Sequence, residues 1–414
     1  MLFLYNLIVQ IADFLLKIAT PFSPKIKLFV DGRKPIFQIL ESKIKPNNKT
    51  IWFHAASLGE YEQGLPVIEK IKTKYPNHKI VLTFFSPSGY EVRKNNVVAD
   101  VTVYLPLDTK KNAKDFLSLV HPEMAFFIKY EYWPNYLNEL RKLRTPTYLI
   151  SGVFRKNQMF FKCYGGFYRK ALDTFTYFFV QNEGSKKLLL QLGKTNVAVS
   201  GDTRFDRVAL ILEKYNSLDF ISEFKNDTLT FVAGSSWPKD ESLLVDFINQ
   251  TSEKVKFIIA PHNIKSEQIQ KLKNSISKKV VLFSEKEGEN LVDFDVFIID
   301  TIGILTKIYS YADIAYVGGG FGNPGVHNIL EPATFGVPIV IGPNYFHFAE
   351  ATAIVNMGGC VSISNKNELF DAFSNLIHND DIRNEKGYIC SAFVQMNKGA
   401  TEVIMRKIQK SESL

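Results

Sequence analysis

Short apolar runs recur along this chain, separated by longer stretches in which apolar residues return at helical spacing. The runs fall at 51–56, 79–85, 101–105, 124–128, 147–150, 175–180 and 197–200. A second series follows at 230–234, 256–260, 280–283, 296–300, 314–317 and 338–341. A strand covered on both faces reads as a near-continuous apolar run rather than an alternating one. Alternation of such runs with helical stretches, such as 57–75 and the one opening at Ser86-Pro-Ser-Gly, predicts parallel sheets with helices on both faces. Residues 213–227 are polar and charged and read as a linker, and the stretch from about 349 onward reads as helical. The fold class is α/β, with two Rossmann-like, doubly wound domains. Ligands of such sheets bind beyond the carboxyl ends of the strands, and two such ends facing a central cleft would hold two substrates.

The first 22 residues break this pattern. They are strongly apolar, and only Asp13 and Lys17 are charged, one helical turn apart and able to pair. The basic leader and small-residue cleavage site of a signal peptide are missing. Interior charges make spanning a bilayer costly, so a helix lying in the interface or inserted from one side is expected. Lys25, Lys27, Arg33 and Lys34 follow, where anionic headgroups would attract them. The competing reading is a helix packed on the protein's own core.

Composition narrows the partners. The 414 residues are 46% hydrophobic and 22% charged, as in a globular protein. Fifty basic residues against 42 acidic ones give a net charge of +8, which suits an anionic membrane surface or a phosphorylated substrate. There is no long Lys/Arg block, so no nucleic-acid partner is expected. Cys163, Cys360 and Cys390 form no C-x-x-C, and neither a zinc site nor a disulfide framework is indicated. Asp293-Phe-Asp295 superficially resembles a D-x-D metal motif but reads as a loop cap, so no metal and no cofactor are expected.

The richest stretch runs from Tyr316 to Gly342. An apolar strand leads into Gly318-Gly319-Gly320-Phe-Gly322, followed by His327, Asn328 and Glu331. Glycines let a backbone approach an anion, and a following helix start offers free N–H groups. Glu331, about one turn into that helix, can take sugar hydroxyls. Gly320-Phe-Gly-Asn-Pro-Gly325 also fits the dinucleotide fingerprint, but Pro324 and the absence of an acid at Gly342-Pro343 count against it.

Further polar residues stand at predicted strand ends. Ser57-Leu-Gly59-Glu60 opens a helix, where Gly59 permits an unusual backbone. Glu60 either accepts a proton from an attacking hydroxyl or only caps the helix. Glu131-Tyr-Trp-Pro-Asn135 suits a polar cleft wall, and Arg204 can neutralise a phosphate or carboxylate. Gly234-Ser-Ser-Trp-Pro-Lys-Asp-Glu241, Pro261-His262 and Asp300-Thr-Ile302-Gly303-Ile304 complete the set.

Taken in order and spacing, Phe53-His-Ala-Ala-Ser-Leu-Gly-Glu60, Glu131-Tyr-Trp-Pro-Asn135, Gly201-Asp-Thr-Arg-Phe-Asp206, Asp300-Thr-Ile-Gly303 and Gly318 to Glu331 resemble the 3-deoxy-D-manno-octulosonic acid (Kdo) transferases of lipopolysaccharide synthesis. The resemblance covers nearly the whole chain. It implies a GT-B fold and inverting, metal-independent transfer of Kdo from CMP-Kdo to a lipid A precursor, lipid IVA, at the cytoplasmic face of the inner membrane. It implies Glu60 as catalytic base, with Glu131 and Arg204 stabilising the transition state; many members carry lysine at the latter position. Ser57 and Gly59 would serve the acceptor. Pro261, His262, Ile302, Gly303, Ile304, Gly319, Gly320, Asn328, Ile329, Leu330 and Glu331 would serve the donor, with His262 where arginine is frequent. The expected organisation is a membrane-associating lead-in at 1–48, an acceptor domain at 49–212 and a donor domain at 228–395. A last helix at 396–414 would return to the first domain. A GT-B nucleotide-sugar epimerase and a non-catalytic, membrane-associated nucleotide-binding protein remain as alternatives.

Overall fold

The computed structural model describes residues 2–213 and 215–412. The chain divides into two units, Met1–Arg207 with Lys398–Leu414, and Val208–Asn397.

In the first unit the apolar runs form β1 (Lys49–Ala55), β2 (His78–Phe84), β3 (Val101–Tyr104), β4 (Pro122–Ile128), β5 (Thr147–Gly152), β6 (Tyr177–Val180) and β7 (Val197–Val199). All pairings are parallel, in the order β3-β2-β1-β4-β5-β6-β7. Six of the seven residues of β1 are buried, which is why its sequence shows no polar face. Trp52 points into one apolar layer with Phe116, Phe127 and Tyr136. Ile51 and Phe53 point into the other, where Phe53 stacks on Phe126 with centroids 4.5 Å apart. The helix Ala400–Glu412 closes this second layer with Ile404, Met405 and Ile408. Burying each such side chain contributes about 1.5–3 kcal/mol. Asp206 holds the start of that helix, accepting hydrogen bonds from the Thr401 N–H and hydroxyl, both at 2.6 Å.

The second unit repeats the plan with β8 (Thr230–Ser236), β9 (Lys256–Pro261), β10 (Val280–Leu282), β11 (Val296–Ile298), β12 (Ile314–Val317), β13 (Ile339–Ile341) and β14 (Cys360–Ser362). Its parallel order is β10-β11-β9-β8-β12-β13-β14. Two elements differ from the sequence reading. The stretch after 349 contains β14, a three-residue edge strand paired only with β13. The polar segment 213–227 contains the helix Asp219–Lys225, because Ile221 and Phe224 lie on one face and are fully buried.

The helix Leu2–Ala19 has no buried residue. Its amphipathicity is inverted. Phe3, Leu7, Ile8, Ile11, Phe14, Leu15 and Ile18 are exposed, while Tyr5 and Asn6 turn inward. The Tyr5 hydroxyl donates to Asp108 Oδ2 at 2.7 Å, and Asn135 Nδ2 donates to Asn6 Oδ1 at 2.8 Å. A core helix would do the reverse.

Candidate active site

In a doubly wound sheet the strand order reverses at one point, and the two strands flanking it send their following loops to opposite faces. A crevice opens there, beyond their carboxyl ends. In the first unit the reversal lies between β1 and β4, and in the second between β8 and β12.

Ala55 ends β1, and Ser57, extended at φ −142°, leads into the helix Leu58–Lys74. Glu60 lies in the first turn and is buried. The Ser57 hydroxyl donates to Glu60 Oε2, and the Ser57 side chain makes no capping bond to the helix backbone. Gly59 differs from expectation: its φ is not positive. A Cβ there would meet only Ser57 Oγ at 3.9 Å, so Gly59 leaves open space beside Glu60 rather than relieving strain.

At the end of β4, Lys129 takes the left-handed conformation, φ 71°, which costs a non-glycine residue about 1–2 kcal/mol. The turn brings Glu131, 12% exposed at its side chain, against His54 of β1. Pro134 begins the helix Pro134–Lys142. Arg204 belongs to the helix Thr203–Ala209 after β7. Asp202 holds it, with Oδ2 accepting from Arg204 Nε at 2.9 Å and Nη2 at 2.7 Å. Asp202 Oδ1 accepts from Gln63 Nε2 at 2.7 Å. Gln63 is one turn beyond Glu60, so this bond ties the Glu60 helix to the Arg204 segment. Gln63 and Asp202 escaped the sequence reading, although Asp202 lies within the Gly201–Asp206 motif.

In the second unit the end of β8 is strained in the same way, with Ser235 at φ 53°. Trp237 caps the helix Pro238–Gln250, donating its backbone N–H to Asp240 Oδ2 at 2.9 Å. Asp240, wholly buried, organises the glycine loop after β12. Its Oδ2 also accepts from Gly319 N at 2.9 Å, and its Oδ1 accepts from Tyr316 Oη at 2.7 Å. Burial and the neighbouring Asp240 push the Tyr316 phenol far up, so it remains a donor. Asp240 is a second omission; its signal was an acid three residues after Trp237 at a helix start.

Gly319 has φ 94°, which favours glycine, and Gly320 packs on the Gly342 backbone. Turns, not a helix, follow: Gly322 N bonds Gly319 O, and Gly325 N bonds Gly322 O. The helix starts only at Leu330 and ends at Thr334, so Gly320–Gly325 lacks the strand-to-helix turn of a dinucleotide fingerprint. Glu331 therefore lies in the first helical turn rather than a turn further in. Asn328 Nδ2 donates to its Oε1 at 3.0 Å, and Thr306 Oγ1 to its Oε2 at 2.8 Å. The second bond ties the short helix Leu305–Ile308, which follows the loop after β11, to the Asn328–Glu331 stretch. In that loop Ile302 is 82% exposed and Gly303 has φ 98°, while Ile304 precedes a short helix. The side chains of Ile329 and Leu330 are buried in the core, so they offer a ligand only backbone atoms.

Pro261 ends β9, and His262 N donates to Ser236 O at 2.9 Å. Three rings then stack: Trp237 on His262 at 4.8 Å, and His262 on His327 at 4.5 Å. Trp237 Nε1 donates to His327 Nε2 at 2.8 Å. An indole N–H only donates, so His327 Nε2 carries the lone pair and its proton sits on Nδ1. Burial lowers the His262 pKa; burial first, then His262, lowers that of His327 against the opposing pull of Asp240. On acidification through the ordinary imidazole range, about 6.5, the unfolded state takes up these protons before the folded state does. The pair therefore costs stability as pH falls through that range. Burial raises the Asp108 pKa to about 6 and so acts with the opposite sign in the first unit. The expected result is thus a difference: a His262→Gln, His327→Gln double variant loses less melting temperature between about pH 7.5 and 5.5 than the parent. Equal losses would show that the stacked pair does not titrate this way.

Residues 33–207 match the family described as 3-deoxy-D-manno-octulosonic-acid transferase (kdotransferase). The chain is 29% identical over 340 residues to the 3-deoxy-D-manno-octulosonic acid transferase of Chlamydophila psittaci, covering 78% of this chain and 77% of the relative. It is 25% identical over 401 residues to the enzyme of the same description from Rickettsia bellii, covering 93% and 94%. Among solved structures, UDP-GlcNAc 2-epimerase from Neisseria meningitidis bound to UDP-GlcNAc superposes with a TM-score of 0.61 at 15% identity, over 87% of this chain and all of that one. That likeness is one of fold, GT-B, in which each unit carries a doubly wound sheet.

Proposed function

We propose that this chain, a glycosyltransferase of the Kdo transferase family, moves Kdo from CMP-Kdo to a lipid A precursor such as lipid IVA, by direct displacement with inversion and without a metal ion. The observation that carries the reading is the β1/β4 switch point. There a buried carboxylate, Glu60, stands beside open space at Gly59, on a segment that matches the family.

In this reading Glu60 removes the proton of the attacking acceptor hydroxyl, and the hydroxyl oxygen bonds to the anomeric carbon as its bond to CMP breaks. Ser57, which already donates to Glu60, orients the carboxylate on the acceptor side. Positive charge grows on the sugar ring in the transition state, and Glu131 stabilises it. Arg204, held in orientation by Asp202, offsets negative charge on the donor. In the second unit the N–H groups of the Gly319 and Gly320 loop and His262 receive the phosphate. Glu331, fixed by Asn328 and Thr306, accepts ribose hydroxyls. Ile302, Gly303 and Ile304 border the base, and Pro261, Ile329 and Leu330 complete the donor site with backbone atoms.

The acceptor is a lipid, and the N-terminal helix fits that. Residues 2–22 are long and apolar enough to cross a membrane, and none of the segment is buried within the protein. A cavity of about 650 Å³ lies beneath it, with a mixed lining in which Lys17 pairs with Asp13 and Lys34 with Asp31, beside Arg33, Phe29 and Phe37. We place the enzyme on the anionic cytoplasmic face of the inner membrane through this helix. Removing residues 2–22 should abolish binding to anionic liposomes and leave the rest folded. The cost is the Tyr5 bond to Asp108, about 1.5–3 kcal/mol for a charged acceptor, together with the Asn135 bond to Asn6. Aggregation or unfolding of the truncated form would make the helix part of the core instead.

The test of function is incubation with CMP-Kdo and a tetraacylated lipid A precursor, with mass spectrometry of the lipid. The expected product is the lipid bearing Kdo, formed equally in EDTA. Absence of a lipid product overturns the reading, and turnover of a UDP-sugar without lipid would favour an epimerase.

A further inference from the structure

Among the described residues, His54 is the histidine that is wholly buried, at 0% exposure. The mechanism above gives it no part. It sits on β1, on the Trp52 side of the sheet, next to the switch point. Burying an imidazole is unfavourable unless both ring nitrogens find partners, and both do. His54 Nδ1 lies 2.8 Å from Thr83 Oγ1, and Nε2 lies 3.3 Å from Glu131 Oε2.

Contact lengths select the tautomer: Trp133 Nε1 lies 2.8 Å from Glu131 Oε2 and 3.0 Å from His54 Nε2, and we assign its proton to the nearer acceptor. Two indole N–H groups, which only donate, bracket the cluster. Trp52 Nε1 donates to Thr83 Oγ1 at 2.8 Å, and Trp133 Nε1 donates to Glu131 Oε2 at 2.8 Å. With the Trp52 proton already on it, the Thr83 oxygen keeps its own hydroxyl proton to give. Its acceptors are His54 Nδ1 at 2.8 Å and the Phe53 carbonyl at 3.3 Å. We assign that proton to the shorter contact, which places the imidazole proton on Nε2, facing Glu131 Oε2. The other tautomer would accept the Trp133 N–H on Nε2 at 3.0 Å but set the same lone pair against the carboxylate at 3.3 Å.

We propose that His54 is a positioning residue for Glu131: its Nε2–H and the Trp133 N–H converge on Oε2, anchor the carboxylate through that one oxygen and leave Oε1 for the reacting sugar. Two donors converging on one oxygen require an acceptor there, so they hold the Glu131 side chain by Oε2. The anchor is rigid because its far end is buried: Thr83 and Trp52 are each 0% exposed. The strained Lys129 turn, φ 71°, delivers Glu131 to it. A transition state gains from a charge already aimed, because no reorganisation is needed as the bond breaks. The inference rests on the reading of Glu131 as a group acting in transfer.

The test is a double-mutant cycle on single-turnover transfer, with substrate affinities measured alongside. His54→Asn keeps a partner for Thr83 but cannot reach Glu131. It should lower turnover about tenfold with KM unchanged, a coupling within the usual range for contacting residues. Gln places its amide N–H where Nε2–H was, so His54→Gln should recover most of that loss. In a Glu131→Gln background, His54→Asn should cost nothing further. Additive losses, or equal activities for the Asn and Gln variants, overturn the inference. A Glu131→Gln variant with full turnover would instead remove the role given to Glu131. Nitrogen-15 NMR of the imidazoles in the full chain reads the tautomer without relying on a variant that folds. A His54 proton on Nε2 is expected, and one on Nδ1 refutes the anchor.

Discussion

Glu60→Gln is expected to lower single-turnover transfer by about 10²–10⁴-fold while CMP-Kdo affinity stays nearly unchanged. The loss corresponds to about 3–5.5 kcal/mol of barrier at 1.36 kcal/mol per decade. Glutamine keeps the size of the side chain and can still accept from the Ser57 hydroxyl, but it cannot take a proton. The competing role, a carboxylate that only satisfies the helix start, would cost about 1 kcal/mol of stability and little turnover. The geometry already separates the two in part, since the Glu60 carboxylate accepts from the Ser57 side chain and Ser57 makes no capping bond. Transfer and thermal melting measured on one preparation separate them fully. Near-normal transfer with a lowered melting temperature would make Glu60 a structural acid, and Glu131 the next candidate base.

Gly320→Ala is expected to destabilise the second unit and weaken nucleotide binding together. A Cβ on Gly320 would lie 2.7 Å from both the N and Cα of Gly342. Those are backbone atoms next to β13, so no rotamer change relieves the clash. Overpacking of this kind costs about 1–3 kcal/mol. It also pushes on the Asn344 N to Gly320 O bond, 2.9 Å, which ties the loop to the end of β13. The same displacement moves the N–H groups proposed to receive the phosphate. The checks are melting of the full chain and CMP affinity by calorimetry. A variant with parental melting and affinity would show that the loop tolerates displacement and that the phosphate lies elsewhere.

Much of the fold could be read in advance because a strand buried on both faces leaves a local mark. Ile51 to Ala55 and Ile314 to Val317 are legible as runs whatever they pair with. The exceptions have local causes too. Cys360-Val-Ser is an edge strand too short to stand out between helices, and the seven-residue helix at Asp219 is apolar on one narrow face only. Residue types at strand ends were also legible: an acid after β1, an acid after β4, glycines after β12. Their settings were less so. Gly59 was read as a backbone device and is instead an absence of bulk, and Ile329 and Leu330 were read with the donor site although their side chains fill the core.

The sequence by itself determined most of the succession of strands and helices, the apolar character of the first helix and the chemical groups available at each strand end. These depend on the burial of residues near one another in the chain. Only the tertiary structure decided which of those groups meet. His54 and Glu131 are 77 residues apart, Trp237 and His327 are 90 apart, and Gln63 and Asp202 are 139 apart. Each pair is made by the lateral order of strands, which sets where the sheet reverses and which loops share a crevice. No local periodicity encodes that order, because a parallel strand looks the same to its own neighbours in the chain whichever strand lies beside it.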